Sequence, residues 1–274
     1  MLMTQSAYRI HAVVFDWAGT TIDYGSRAPA IVFQQVFRER GIKITVDQAR
    51  GPMGMAKRAH IASIAALPEI SQEWTAQHGS PPTDADIDAM YDEFLPLQKS
   101  VLKEHCQLIP GVTETIEHCR SRGLRIGSST GYTRELMEVV SAAAKEQGYE
   151  PDCVLCAEDA PAGRPAPYLL FESAIRLGVF PMWSFIKVDD TTVGIEAGIN
   201  AGCWTVGVTL SGNLTGLSEA EVADLTASEK QQYCDRAEEK LRAAGAHYVM
   251  ESVADFPQVL EQIVQRAANG ERPV

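Results

Sequence analysis

The apolar run Ala12-Val13-Val14-Phe15 ends in a carboxylate, Asp16, and a small turn with Gly19, Thr20 and Thr21 follows. Consecutive apolar residues of this kind read as a buried strand. Asp16 then stands at the strand's C-terminal end, where open α/β sheets place their ligands. A carboxylate there can cap the turn, hold a hard cation such as Mg²⁺, or attack phosphorus as a nucleophile. Similar boundaries recur. Ser128-Ser129-Thr130-Gly131 ends a second extended stretch, Gly163-Arg164-Pro165 follows a third, and Asp189-Asp190-Thr191-Thr192 ends a fourth. Carboxylates would supply a metal site, hydroxyls and backbone N–H groups would bind oxyanions, and Arg164 would bring positive charge. Each has an ordinary alternative: helix capping for Thr130 and Gly131, a solvated loop charge for Arg164, turn residues for Asp189 and Asp190. Four such coincidences on one sheet edge favour a site.

The elements that would position these groups alternate. Strands at 12–16, 124–128, 153–157, 185–188 and 204–209 are interleaved with helices at 111–122, 133–147, 166–177 and 193–201. This pattern predicts an α/β fold with a Rossmann-like, mostly parallel sheet and helices on both faces. Residues 26–104 read differently, as helices at 29–40, 55–66, 71–77 and 83–104, with an extended piece at 42–45 and a kink or break at Pro96. The chain therefore divides into a core, residues 1–25 plus 105–274, and an inserted alpha-helical cap, residues 26–104, with hinges near 24–27 and 104–109. The apolar face of helix 29–40 serves either the inside of the cap or a partner. Residues 211–246 read as a polar helical excursion, followed by a short strand at 247–250 and a helix at 254–267.

Bulk properties narrow the function. The 274 residues are 45% hydrophobic and 22% charged, ordinary for a soluble globular enzyme. A formal charge of −12 has the wrong sign for nonspecific nucleic-acid binding. A small anionic substrate would need a local positive site. With no signal-peptide pattern and no run long enough to span a bilayer, the expected location is cytoplasmic and away from membranes. The six cysteines read as reduced thiols. Cys153 and Cys156 have CxxC spacing but fall on an apparent strand, where i and i+3 face opposite sides, so the pair is poorly placed for one metal.

The order Asp16, Thr130, Arg164, Asp189-Asp190 on successive strands, with a helical insert after the first, resembles the haloacid dehalogenase superfamily and its alpha-helical cap subclass. That resemblance implies an aspartyl-phosphate on Asp16. One departure is informative. Phosphatases of the superfamily carry a second Asp two residues after the nucleophile to protonate the leaving oxygen; here that position is Ala18. Haloacid dehalogenases also lack the acid. The cap separates these readings. Asp16-Trp17-Ala18-Gly19-Thr20-Thr21 with Tyr24-Gly25, then Pro52-Met53-Gly54 ahead of Lys57 and His60, closely resembles the phosphonoacetaldehyde hydrolase (phosphonatase) family, and Thr130-Gly131-Tyr132 and Gly163-Arg164-Pro165 fit too.

The resemblance implies cleavage of the C–P bond of phosphonoacetaldehyde to acetaldehyde and phosphate, in the degradation of 2-aminoethylphosphonate. The cap lysine, Lys57, would form a Schiff base with the aldehyde, and the iminium would act as an electron sink for the departing carbon. Lys57 must then be neutral before attack; burial, Arg58 or Mg²⁺ could lower its pKa. The implied catalytic residues are Asp16, Lys57 and His60, the last as a proton shuttle or a packing group. One Mg²⁺ per subunit would be held by Asp16, the carbonyl of Ala18 and Asp190, with Asp189 behind them. Thr130, Gly131, Tyr132, Arg164 and Met53 would bind substrate. A superfamily acid four residues after Asp190 is replaced by Gly194, for which water or Glu196 would substitute. The family also implies a homodimer. The competing readings are a Mg²⁺-dependent sugar-phosphate phosphatase, a dehalogenase, and a non-catalytic phosphate-binding relative.

Overall fold

A computed structural model describes residues 9–273. Six strands, β1 (Ala12–Phe15), β2 (Arg125–Ser129), β3 (Cys153–Leu155), β4 (Phe185–Asp189), β5 (Trp204–Val208) and β6 (Tyr248–Met250), form one sheet in the order β3-β2-β1-β4-β5-β6. Every neighbouring pair is parallel, so the C-terminal ends share one edge. Phe15 stands level with Ser128 on one side and Val188 on the other. The next residues of each strand, Asp16, Ser129 and Asp189, are therefore neighbours at that edge.

Strand periodicity sorts the core into two layers. Val13 and Phe15 face the cluster that includes Val112 and Ile116 of α6 (Val112–Ser121), Met137 and Val140 of α7 (Arg134–Glu146), and Leu260 and Ile263 of α12 (Phe256–Ala268). Ala12 and Val14 face Leu170 of α8 (Tyr168–Leu177) and Ala197 and Ala201 of α9 (Thr192–Ala201). The polar 211–246 stretch contains α10 (Glu219–Ala223) and α11 (Ala227–Ala243).

Between β1 and α6 lie α1 (Arg27–Glu39), α2 (Val46–Arg50), α3 (Lys57–Ala65), α4 (Pro68–His78) and α5 (Asp84–Leu102). They pack on an apolar cluster of their own, built on Phe33, Phe37, Ile61, Ile64, Trp74, Met90 and Phe94. The apolar face of α1 thus turns inward and leaves only Ile31 as a large exposed apolar residue on that helix. The two chain crossings at the insert's base are stitched together. Asp23 N donates to Gln107 O at 3.2 Å and Ile109 N to Thr21 O at 2.9 Å. The Asp23 carboxylate accepts from Ala28 N at 3.0 Å in the first turn of α1, and pairs with His105 Nδ1 at 3.0 Å.

Several elements differ from their sequence reading. Helix α2, which the sequence reading did not contain, follows the extended piece at 42–45 and is opened by a capping box between Thr45 and Gln48. Pro68 not only ends α3's continuation but occupies the first turn of α4, where its missing N–H costs nothing. Helix α5 runs through Pro96 without a break, held by α1 and α3 along its length. The six cysteines are free and buried. No helix among the described residues is long and apolar enough to cross a membrane.

Candidate active site

The shared strand edge and the insert line a narrow cavity between them, of about 20 Å³. The core supplies Asp16 and Ala18 after β1, Thr130, Gly131 and Tyr132 after β2, Arg164 after β3, and Asp190 and Thr191 after β4. The insert and its linker supply Ser26, Pro29, Met53, Gly54 and Lys57. Ten of the residues singled out in the sequence thus meet in one place: Asp16, Ala18, Met53, Lys57, Thr130, Gly131, Tyr132, Arg164 and Asp190 line it, and Asp189 lies directly behind.

The core wall is a buried charge network. Arg164 Nη2 reaches Asp16 Oδ1 at 2.6 Å and also donates to Ser129 O, while Nη1 pairs with Asp189 Oδ2 at 3.1 Å. Lys187 Nζ pairs with the same Asp189 oxygen at 2.9 Å and donates to Ser129 Oγ at 3.2 Å. Asp189 Oδ1 accepts from Thr191 N at 3.0 Å and Thr191 Oγ1 at 2.7 Å. Burial works against ionisation of Asp189, but Arg164 and Lys187 outweigh it and hold its carboxyl below the usual range. Asp16 is pushed up by burial, with Arg164 opposing. Asp190 is pushed well up, first by burial and then by the charges of Asp16 and Asp189.

Those three carboxylates present oxygens within 4.8 Å of one another. Asp190 Oδ2 accepts from Asn213 N at 2.7 Å, whereas its Oδ1 is buried without a hydrogen-bond partner. An all-oxygen cluster with an orphaned acceptor and mutual repulsion suits a hard divalent cation. Gly194 has a steric reason: a Cβ there would lie 2.0–2.1 Å from the Asp189 carboxylate. The volume of the expected acid is thus filled by Asp189 itself.

The insert wall is largely apolar, and its Lys57 lies near one aromatic ring of the core and one of the insert. Lys57 begins α3 and is buried, with Nζ 4.8 Å from the Tyr132 ring centre and 5.6 Å from that of Phe33. Burial lowers its pKa to about 7; Asp16 opposes the shift and Arg164 adds to it. Arg58 plays no such part. It points outward to Asp84 and Asp88 at 3.1 and 2.6 Å. His60 is placed apart from the cavity. Its ring stacks on Phe33 at 3.7 Å, and Nε2 lies 2.9 Å from Ala49 O, so Nε2 carries the proton. Burial, then the charge of Lys57, lowers its pKa well below the ordinary value.

The seam between the walls is tight. Gly54 has φ +93°, and a Cβ on it would lie 2.5 Å from Thr191 Oγ1. A Cβ on Gly131 would lie 2.6 Å from Met55 O. Lys187, Ser26 and Pro29 were not singled out from the sequence. Lys187 did leave a signal, a lysine inside the otherwise apolar run of a central strand, which demands a buried partner.

Residues 10–202 match the model of the haloacid dehalogenase-like hydrolases. The chain is 50% identical over 264 residues to a phosphonoacetaldehyde hydrolase of Paraburkholderia phytofirmans, covering 96% of this chain and 99% of that one. It is 46% identical over 266 residues to a phosphonoacetaldehyde hydrolase of Vibrio cholerae, covering 96% and 98%. A crystal structure of a phosphonoacetaldehyde hydrolase-like protein from Oleispira antarctica superimposes with TM-score 0.96 at 41% identity, over the full length of both chains.

Proposed function

We propose one reaction for this chain, which belongs to the haloacid dehalogenase-like hydrolases and, within them, to the phosphonoacetaldehyde hydrolase family: hydrolysis of the C–P bond of phosphonoacetaldehyde to acetaldehyde and phosphate. The observation that carries it is that Lys57 and Asp16 line one narrow cavity, with Ala18 where an ester-cleaving site would need an acid. Residues 26–104 act as a cap over the core formed by 1–25 and 105–274.

Lys57, neutral in an appreciable fraction at neutral pH, condenses with the aldehyde and releases water, leaving an iminium next to the C–P bond. Arg164, Thr130 and Gly131 hold the phosphonate oxygens. Asp16 forms a bond to phosphorus while the C–P electron pair moves onto carbon, giving an enamine on Lys57 and an aspartyl-phosphate. Protonation and hydrolysis of the enamine free acetaldehyde and Lys57. Water then releases phosphate from Asp16. No acid is needed at position 18, because no alkoxide departs. Asp16, Asp190 and the carbonyl of Ala18 would hold one Mg²⁺, which supplies positive charge against the repulsion between nucleophile and anion. Asp189 and Lys187 lie behind that set and orient Arg164. Tyr132 and Met53 shape the aldehyde end, and His60 supports Lys57 from within the cap. The family resemblance extends the proposal to a cytoplasmic homodimer, whose mass light scattering measures.

The test combines two readouts. Phosphonoacetaldehyde with borohydride should inactivate the protein and leave an adduct at Lys57; unimpaired turnover in Lys57→Arg would sink the imine route. Excess EDTA should stop phosphate release, and calorimetry should show Mg²⁺ binding that Asp190→Asn removes.

A further inference from the structure

Arg50, the last residue of α2, crosses from cap to core without lining the cavity. Its Nη1 donates to Gly25 O at 2.7 Å and to Asn213 O and Oδ1, both at 3.1 Å; its Nη2 donates to Gly216 O at 3.1 Å. Asn213 Nδ2 returns a bond to Arg50 O at 3.3 Å. Other charges that span the seam, Arg27–Glu221 and Lys99–Glu135, are surface pairs open to solvent. Arg50 differs from them in kind. Its acceptors are three backbone carbonyls and one amide, so a charged fork is gripped by neutral oxygens and no second charge loses its water. The fit is close: a Cβ on Gly216, which has φ +72°, would lie 2.7 Å from Arg50 Cζ.

The loop that Arg50 grips also touches the reacting centre. Asn213 N donates to Asp190 Oδ2 at 2.7 Å, and Ser211 Oγ donates to Gly19 O at 3.2 Å. On the other side, Arg50 stands three residues before Met53 and seven before Lys57 on the same cap segment. We propose that Arg50 is a positioning residue for the reaction: it latches the cap onto residues 211–216 of the core and, through Asn213, ties closure to the placement of the Asp190 carboxylate. The proposal rests on the reading that Lys57 and Asp16 serve one reaction across the seam.

Full-length wild type, Arg50→Ala and Arg50→Lys are compared with Mg²⁺ present. Arg50→Ala is expected to lose about 10²-fold in kcat/KM for phosphonoacetaldehyde, the scale for losing hydrogen bonds from a half-buried charged donor. Free guanidinium should recover part of that loss, and Arg50→Lys should not, because one ammonium cannot reach Gly25, Asn213 and Gly216 together. Amide exchange on the wild type needs no variant: 51–56 and 211–217 should open as one unit, and should open faster, still together, in Arg50→Ala. Wild-type kcat/KM in Arg50→Ala, or independent opening of the two segments, overturns the latch. A wild type inert toward phosphonoacetaldehyde would overturn the proposed reaction instead, and leaves the exchange experiment to decide the latch alone.

Discussion

The two walls of the cavity bury charge in opposite ways. On the core wall every buried ion has a counter-ion or a hydrogen bond: Arg164 lies between Asp16 and Asp189, and Lys187 supports Asp189 from below. On the cap wall Lys57 is equally buried but lies over the rings of Tyr132 and Phe33. The first arrangement keeps Arg164 and Asp189 charged, while the crowding that pushes Asp16 and Asp190 up leaves those two carboxyls suited to a cation. The second makes an ammonium expensive and so favours a free amine. One fold therefore sets an ionic half against a largely apolar one, and on the proposed reaction their seam would join a phosphonate-binding surface to a nucleophilic nitrogen.

The largest effect should come from emptying the ionic half. Asp16→Asn is expected to lower phosphate release by about 10⁴-fold or more while borohydride trapping at Lys57 survives; loss of both would break the division between the walls. Lys57→Met tests the other half and sharpens the comparison through stability. The folded pKa near 7 lies below the unfolded value of 10.5, so between them the unfolded chain binds more protons and stability rises with pH. The penalty is fully present below pH 7 and vanishes above about 10.5. Lys57→Met should remove that slope and raise stability at neutral pH by at most about 5 kcal/mol, measured by urea unfolding at several pH values. A slope unchanged in the variant would show that the amine is not held neutral.

A smaller effect should follow at the seam. Gly131→Ala places a methyl against Met55 O and should cost about 10-fold in kcat/KM, with the unfolding midpoint little changed, because overpacking of this kind costs roughly 1–3 kcal/mol and is relieved by opening. The smallest belongs to Arg58. Its partners Asp84 and Asp88 are exposed, so Arg58→Ala should leave turnover and its pH profile unchanged. A shift of the profile would reinstate Arg58 as a modulator of Lys57.

The ionic half was the more legible from sequence. A strand that ends in an acid announces itself locally, and parallel strands carry all such ends to one edge, so Asp16, Thr130, Arg164 and Asp190 could be gathered before any coordinates. Lys57 became visible only through its motif, since nothing local distinguishes a buried from a solvated helix lysine. Lys187 and Arg50 went unread because their meaning lies in partners far along the chain: Ser129 is 58 residues from Lys187, and Asn213 is 163 from Arg50. Helix α2 was missed despite its Thr45-x-x-Gln48 signature, because five residues carry too little periodicity to be read as a helix. Pro96 does not break the helix, since tertiary packing keeps α5 continuous around it.

Ala18 lines the cavity and has no side-chain group that can give up a proton. A metabolite pool is crowded with phosphate esters whose dianionic heads match the same Arg164 and Thr130. Such compounds could enter, and even meet Asp16, yet the oxygen they must shed would leave unprotonated and return. On the proposed reaction the omission would act as a filter on reactivity rather than on binding: the site would tolerate visitors it does not destroy, and reserve its chemistry for the one bond whose electrons an iminium on Lys57 would accept.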